Sequence, residues 1–441
     1  MRVPHRLQGC VASVFRMRRR TLLMIGAGVV VLLVVGAAAA YWVVNRRTAD
    51  VHNGDKLPFT LTSDPSSSAP SSTHPTKKQS RFGPSWPVYG FTDARTRDAS
   101  ADTDIHPPYR VLWSKATGFL EYPPVYAKGV LFLYANGGYV RARNLFTGKL
   151  LWARRVLHTT ANLGQGSPAV HAGVVYLGAR NGIIYALSAK TGHTIWATNV
   201  GATMESSPAF DSRFLYMADQ NGVVRALYLG NGHVAWSYHA GGEVKHGPAV
   251  VGGKVYFGDY NGAMYCLRAS DGHQLWKSTT DGLSSGLRSG NFFSTPAVAY
   301  GRVYIGNTDD KVYSFVASTG QVAWTYTMPD WAYGSPAVWN GRVFVTSFDG
   351  TFAALNARTG AVLWSHKLAN RSLASPVVIG KYVYVADLGA TPSSKGRVLA
   401  YNPISGRLEW QFGDGKYATP IAAAGRLVLS GATHVYVLRP K

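Results

Sequence analysis

The chain of 441 residues carries 45 Lys and Arg against 22 Asp and Glu, a formal charge of +23, and has only two cysteines. Two cysteines exclude a disulfide-stapled scaffold, and 46% apolar residues exclude a chain that is disordered throughout. The cation surplus points toward anionic surroundings such as acidic polymers or lipid headgroups.

The first 20 residues are basic: Arg2, Arg6, Arg16, Arg18, Arg19 and Arg20 precede an uncharged run over 21–44. As a helix that run rises about 36 Å, enough to cross the roughly 30 Å hydrocarbon core. Tyr41 and Trp42 stand at its far end, where interfacial aromatics anchor. The sequence therefore predicts a transmembrane signal anchor over 21–44. The arginines place the N-terminus inside the bacterial cytoplasmic membrane, with everything downstream outside. A cleaved signal peptide ending at Ala38-Ala39-Ala40 is the alternative. The apolar run exceeds the roughly 7–15 residues of a signal-peptide core, which favours the anchor.

Residues 45–80 read as a disordered Ser/Pro-rich tether, centred on Ser66-Ser67-Ser68-Ala69-Pro70-Ser71-Ser72. A lead-in segment follows over 81–109. Beyond it, two markers recur at intervals of about 40 residues. One is a tryptophan: Trp113, Trp152, Trp196, Trp236, Trp276, Trp324, Trp364 and Trp410. The other is a proline: Pro124, Pro168, Pro208, Pro248, Pro296, Pro336, Pro376 and Pro420. Each unit holds four short apolar runs, A to D, rich in Val, Tyr and Phe and divided by Asn-Gly, Asp-Gly or Thr-Gly turns. Proline lacks an N–H and suits the first position of strand A. The tryptophan sits in strand D, where its bulk can dock one blade on the next.

The pattern predicts an all-β chain from 110 to 441, an eight-bladed β-propeller of four-stranded blades. The last copy supplies three strands, at 419–424, 426–430 and 433–438. The stretch 110–114 is a strand D with no A, B or C before it. Their pairing would close the ring and leave no open sheet edge. Cys10 falls on the cytoplasmic side. Cys266 stands in a column otherwise filled by Ala142, Ala186, Ala226, Ser314, Ala354 and Ala400, and reads as a small buried residue.

The repeat Ser-Pro-Ala-Val, Gly-x-Val-Tyr-x-Gly, Gly-x-x-Tyr-Ala-Leu, Thr-Gly-x-x-x-Trp resembles the pyrroloquinoline-quinone (PQQ)-like propeller repeat. It is clearest at 167–196, 207–236, 247–276 and 335–364. The lead-in Trp86-Pro87-Val88-Tyr89-Gly90, with Asp93 and Thr96-Arg97, is similar to the segment that precedes such propellers. The family includes quinoprotein dehydrogenases and a non-enzymatic, BamB-like branch. The dehydrogenases use an adjacent cysteine pair beside the quinone and Glu, Asn and Asp at a calcium site. This chain has no adjacent cysteines and four glutamates, Glu121, Glu205, Glu243 and Glu409, so no dehydrogenase residue carries over. The resemblance implies a binding scaffold for an envelope protein, with no cofactor. A quinone oxidoreductase holding PQQ and calcium in the axial funnel is the alternative.

In such a propeller the D–A loops and B–C turns open on one face around the axial funnel. Gln165, Glu205, Lys245, His246, Phe293, Tyr333 and Tyr417 precede the Pro step and should face that funnel. Glu205, Glu243 and His246 could meet there as an acid–base pair, although satisfied loop polar groups are the plainer reading. The longest D–A loop joins Trp276 to Pro296. Its Arg288, Phe292 and Phe293 are residue types that anchor interfaces. His193, His233 and His273 share one turn position on successive blades and are too far apart to ligate a metal. No metal, nucleotide or nucleophile motif appears. The charge offers a third reading, a module for anionic cell-wall polymer. Nucleic acid is excluded by the outward topology.

Overall fold

The computed structural model describes residues 49–61, 85–157, 166–280, 290–391 and 394–441. The anchor expected over 21–44 and the basic segment 1–20 lie outside the described residues. Among the described residues no helix is long and apolar enough to cross a membrane.

Eight four-stranded antiparallel sheets form the blades, and one of them gains a fifth strand. Blade four shows the plan: strands Ala249–Val251, Lys254–Gly258, Ala263–Arg268 and Gln274–Thr279. Its register puts Tyr256 opposite Cys266 and Cys266 opposite Trp276. The small column thus faces the tryptophans, as in Ala142 opposite Trp152, Ala226 opposite Trp236 and Ser314 opposite Trp324. A small cross-strand partner leaves space for the indole. Cys266 is buried, and burial pushes its thiol up to about 11.

The indoles join the blades. Trp152 donates its Nε1–H to the Ala189 carbonyl of the next blade at 3.0 Å, and Trp276 does the same to Ala317 at 3.0 Å. Trp113, Trp196, Trp236, Trp324 and Trp364 repeat the bond. Trp410 instead meets Tyr109 edge-on, with ring centroids 5.0 Å apart. Nearer the axis, the Ser of the Ser-Pro step accepts the amide of its counterpart one blade back. Ser167 N–H bonds Ser207 Oγ, and Ser335 N–H bonds Ser375 Oγ, both at 2.9 Å.

The ring closes as the strand arithmetic required. Tyr109–Ala116 pairs antiparallel with His434–Pro440, Tyr109 opposite Pro440 and Ala116 opposite His434.

The tether assignment of 45–80 does not hold for residues 50–61; residues 62–80 lie outside the described set. Asn53 N–H bonds the Ala323 carbonyl, and Thr325 N–H bonds that of Val51, which adds a short extension to the outer edge of blade five. Asp50 accepts from the Thr325 and Thr327 hydroxyls at 3.0 and 2.8 Å. The buried Arg302 guanidinium donates to the carbonyls of Gly54, Leu57 and Pro58. The Ser/Pro-rich composition begins only at Ser63. Before it, Val51, Leu57 and Phe59 give the chain apolar surface to bury, and Trp324 is wholly buried as a result.

The lead-in takes the axis. Trp86 exchanges both backbone bonds with Tyr126 of blade one at 2.8 Å. The strand A amides of blades two and four to seven then bond lead-in carbonyls: Val170 to Pro87, Val250 to Asp93, Val298 to Ala94, Val338 to Thr96 and Val378 to Arg97. In blade three Phe210 N–H bonds the Asp93 carboxylate at 2.9 Å. Asp98–Ala99 finally runs parallel to strand A of blade seven as its fifth strand. The inner strand edges would otherwise face the channel with unpaired amides, so the plug satisfies them. Arg95 and Arg97, at φ of 60° and 57°, turn the chain so that successive carbonyls fan out to different blades. Arg95 donates its Nε–H to Pro248 and its Nη2–H to Pro208, with Nη1 reaching the Tyr89 carbonyl. Burial lowers Arg95 to about 10, so it stays charged at neutral pH. Burial raises Asp93, and the Arg95 cation opposes that rise.

Candidate binding face and axial funnel

The D–A loops set a ring of side chains above the plug. Tyr122, His246, Phe293, Tyr333 and Tyr417 form the walls of a cavity, and Tyr89 and Arg97 of the plug form its floor. The cavity is about 40 Å³ in volume. Phe293 stacks on Tyr333 at 5.1 Å and tilts on Tyr260 at 4.5 Å, and Tyr122 meets Tyr89 edge-on at 5.3 Å. Burial, with the Glu121 charge beside it, holds the Tyr122 phenol well above its ordinary range. Tyr333 is raised for the same two reasons.

The alternative of an acid–base pair among Glu205, Glu243 and His246 does not form, and the plainer reading holds for Glu205. Glu205 is buried, with an ion pair to Arg180 on one oxygen and to Lys245 Nζ at 2.9 Å on the other. Glu243 is exposed, and its carbonyl accepts the Tyr260 amide. His246 lies between the Tyr122 and Phe293 rings, with Nδ1 unbonded. Burial and the Lys245 cation push its imidazole down to about 3. The reason is charge matching: Glu205 finds two cations within reach, and a buried carboxylate gains more from them than from a neutral imidazole.

Of the loop residues picked from sequence, Phe293 reaches the funnel and Phe292 does not. Phe292 is buried between blades four and five, over Gly258 and 6.1 Å from Tyr313, so its place on the binding face is corrected to the core. Two residues at alternating positions point to opposite sides of the chain, and one neighbour had to face inward. Gln165 and Arg288 lie outside the described residues.

A second surface on this face was not legible in the repeat pattern. Trp331 is exposed, stacks on Phe348 at 5.9 Å, and Phe348 carries the Arg371 guanidinium at 5.1 Å. Backbone bonds tie the three loops: Phe348 N–H to the Trp331 carbonyl and Ser372 N–H to that of Phe348. Beside this ladder a groove of about 580 Å³ runs past Lys367, Arg371 and Lys416. One signal was available: after residue 110, only Trp331 and Trp339 fall outside the strand D column.

The family model described as "Outer membrane protein assembly factor BamB" matches residues 109–214, 180–291, 220–332 and 284–439. The chain belongs to this PQQ-like repeat family. BamB from Moraxella catarrhalis is 20% identical, aligned over 75% of this chain and 100% of its own, with a TM-score of 0.63. Other members of the fold lie just as near. The quinohemoprotein alcohol dehydrogenase of Comamonas testosteroni is 13% identical over 80% of each chain, with a TM-score of 0.66. A europium-containing methanol dehydrogenase is 12% identical over 80% of this chain and 98% of its own, with a TM-score of 0.69. At these identities the likeness establishes the propeller fold alone. No curated protein matches the sequence.

Proposed function

We propose that this PQQ-like propeller is a non-enzymatic binding scaffold of the bacterial envelope. In this reading the apolar run at 21–44 anchors it in the cytoplasmic membrane, and the propeller outside offers its funnel-side loops to a protein partner. The observation that carries the reading is the axial plug. With residues 86–99 bonded to blades one to seven, the funnel is shallow, and the recognition surface is the loop rim around it. That rim carries Phe293, Tyr333, Trp331 and Arg371, residue types that dominate interface energetics. The BamB-type family supports a partner in envelope assembly.

A funnel-bound quinone and its calcium fit these residues poorly. The cavity of about 40 Å³ falls far short of the roughly 300–1,000 Å³ of ligand pockets. Both Glu205 oxygens already serve Arg180 and Lys245, and the described residues hold no cluster of three His, Cys, Asp or Glu fit for a metal. The cation surplus favours a second reading, charge-driven binding of anionic wall polymer.

One experiment separates the two. The full-length protein in detergent captures partners from envelope extract and is washed first at low and then at high salt. The scaffold reading expects a discrete protein that survives high salt and is lost with Phe293→Ala or Trp331→Ala. Recovery only of polymer or lipid that elutes with salt replaces it with the charge-driven reading.

A further inference from the structure

The cation surplus is not spread evenly over the propeller. It gathers on the face opposite the funnel, which the A–B and C–D turns build. At or beside the A–B hairpins stand Lys128, Arg213, Lys254, Arg342, Lys381 and Arg426, one from every blade except the second and the fifth. The blade-five counterpart, Arg302, is covered by residues 54–58. The C–D turns add Lys149, Lys190, Arg268, Arg358 and Arg407. Acids are fewer there. Asp271 and Glu409 pair with Arg268 and Arg407, Asp211 accepts from Tyr216 and its own turn, and Asp55, Asp102 and Asp104 stand near by. The funnel face is balanced instead. At its B–C turns Asp219, Asp349 and Asp387 pair with Arg225, Lys367 and Arg397.

Apolar exposure follows the same division. Leu150, Ile195, Val234, Leu275, Val362 and Leu408 are exposed, and each holds the first or second position of its D strand, at the end nearer the hairpin face. On the funnel face Trp331 is the exposed large apolar residue among those described. In blade five the equivalent Val322 is half-buried, where residues 51–53 lie along the strand. Cations interleaved with exposed apolar side chains suit a lipid interface, where headgroups take the charge and the acyl boundary takes the apolar groups. A wall polymer offers the charge alone.

The chain supplies the second argument. Asp50 is bound to Thr325 and Thr327 of blade five, and Leu61 reaches the Gly341 hairpin of blade six on the same basic face. Between the apolar run ending at residue 44 and Asp50 lie residues 45–49, among them Arg46 and Arg47. Fully extended, those five residues span about 18 Å. We propose that the A–B and C–D turn face rests on an anionic lipid surface, its Lys and Arg on the headgroups and its D-strand apolar residues at the acyl boundary, with the funnel face turned away. The inference rests on the anchored-scaffold reading above and gives that scaffold its orientation.

The test places the full-length protein in nanodiscs of phosphatidylcholine alone or mixed with phosphatidylglycerol. A Cys10→Ser background leaves buried Cys266 as the remaining native thiol. A fluorophore is attached at Ser270→Cys in the blade-four C–D turn, or at Thr279→Cys at the far end of the strand that follows, which is about 17 Å long. Quenching by headgroup-labelled lipid should be about twofold stronger or more at Ser270→Cys in the anionic discs, because ionic contact acts within a Debye length. High salt, or Lys128→Glu with Lys254→Glu and Lys381→Glu, should reduce that difference. Equal quenching at the two positions, or quenching indifferent to the anionic lipid fraction, overturns the proposal. Leu151→Ser with Leu363→Ser should weaken the contact too. Unchanged contact that soluble polyphosphate displaces would assign the face to acidic polymer and overturn the bilayer assignment. A protein that never enters the discs removes the anchor and this inference with it. One that enters with no face preference removes the inference alone, and partner capture from extract still tests the scaffold.

Discussion

Gly232 lies against the indole of Trp196 in the preceding blade, so closely that a Cβ on Gly232 would stand 2.4 Å from Trp196 Cε3. The same turn holds φ at +72°. Two demands meet at one residue, a left-handed backbone and an absent side chain, and both serve the docking of the indole on the Leu229 carbonyl at 3.0 Å. Gly232→Ala should therefore destabilise the protein by about 2–3 kcal/mol, from backbone strain plus displacement of the ring. A shift in the denaturant midpoint, with quenched or shifted tryptophan emission, is the measurement. A change under about 0.5 kcal/mol would mean the ring moves aside freely.

Ring closure by Tyr109–Ala116 and His434–Pro440 gives a second prediction. Deleting residues 430–441 removes the central strand of blade eight and exposes the edges on both sides. Thermal unfolding should shift downward as one cooperative transition. A melting profile identical to that of the intact chain would mean that this pairing contributes nothing to the ring.

The plug supplies a third. Arg95→Met leaves the carbonyls of Pro208 and Pro248 without their donor and Asp93 buried without its cation. The expected loss is about 3–5 kcal/mol, the range for breaking a buried charge network on one side. Hydrogen exchange should quicken at the Val250 and Val298 amides, which bond the plug. Unchanged protection at both would detach Arg95 from the integrity of the plug.

His246 predicts an acid limb. Its folded value is depressed to about 3 from an ordinary 6.5, by burial first and by Lys245 second. Between those values the unfolded chain binds the proton and the folded chain does not. Stability from this residue is full above pH 6.5 and is lost as pH falls toward 3, by at most about 5 kcal/mol. His246→Gln should flatten that limb. The imidazole resonance of the folded protein should stay unprotonated at pH 5. Titration near 6.5 in the folded state would show the ring to be solvated.

Much of the blade plan was legible because it is repeated. Trp276, Cys266 and Tyr256 recur as a rung in copy after copy, and a period of about 40 leaves few other folds. The funnel was read with less success. Phe293 and Tyr333 were placed at the rim by their distance from the Pro step, yet adjacent Phe292 turned inward under Gly258. Glu205 was visible as a rare acid, but its partners Arg180 and Lys245 come from different loops and share no spacing with it. Trp331, Phe348 and Arg371 lie on three successive loops around blade six, and only the packing of neighbouring blades stacks them.

The sequence by itself determined the eight blades, the strand that closes the ring and the tryptophans that dock them. Those features are local and periodic, so each copy restates the same hydrophobic and turn chemistry. Only the tertiary structure decided what fills the axis. Residues 86–99 have no repeat and no regular alternation. Their conformation comes from amides on seven blades that no segment of 14 residues could reach in sequence but that all face one channel in space.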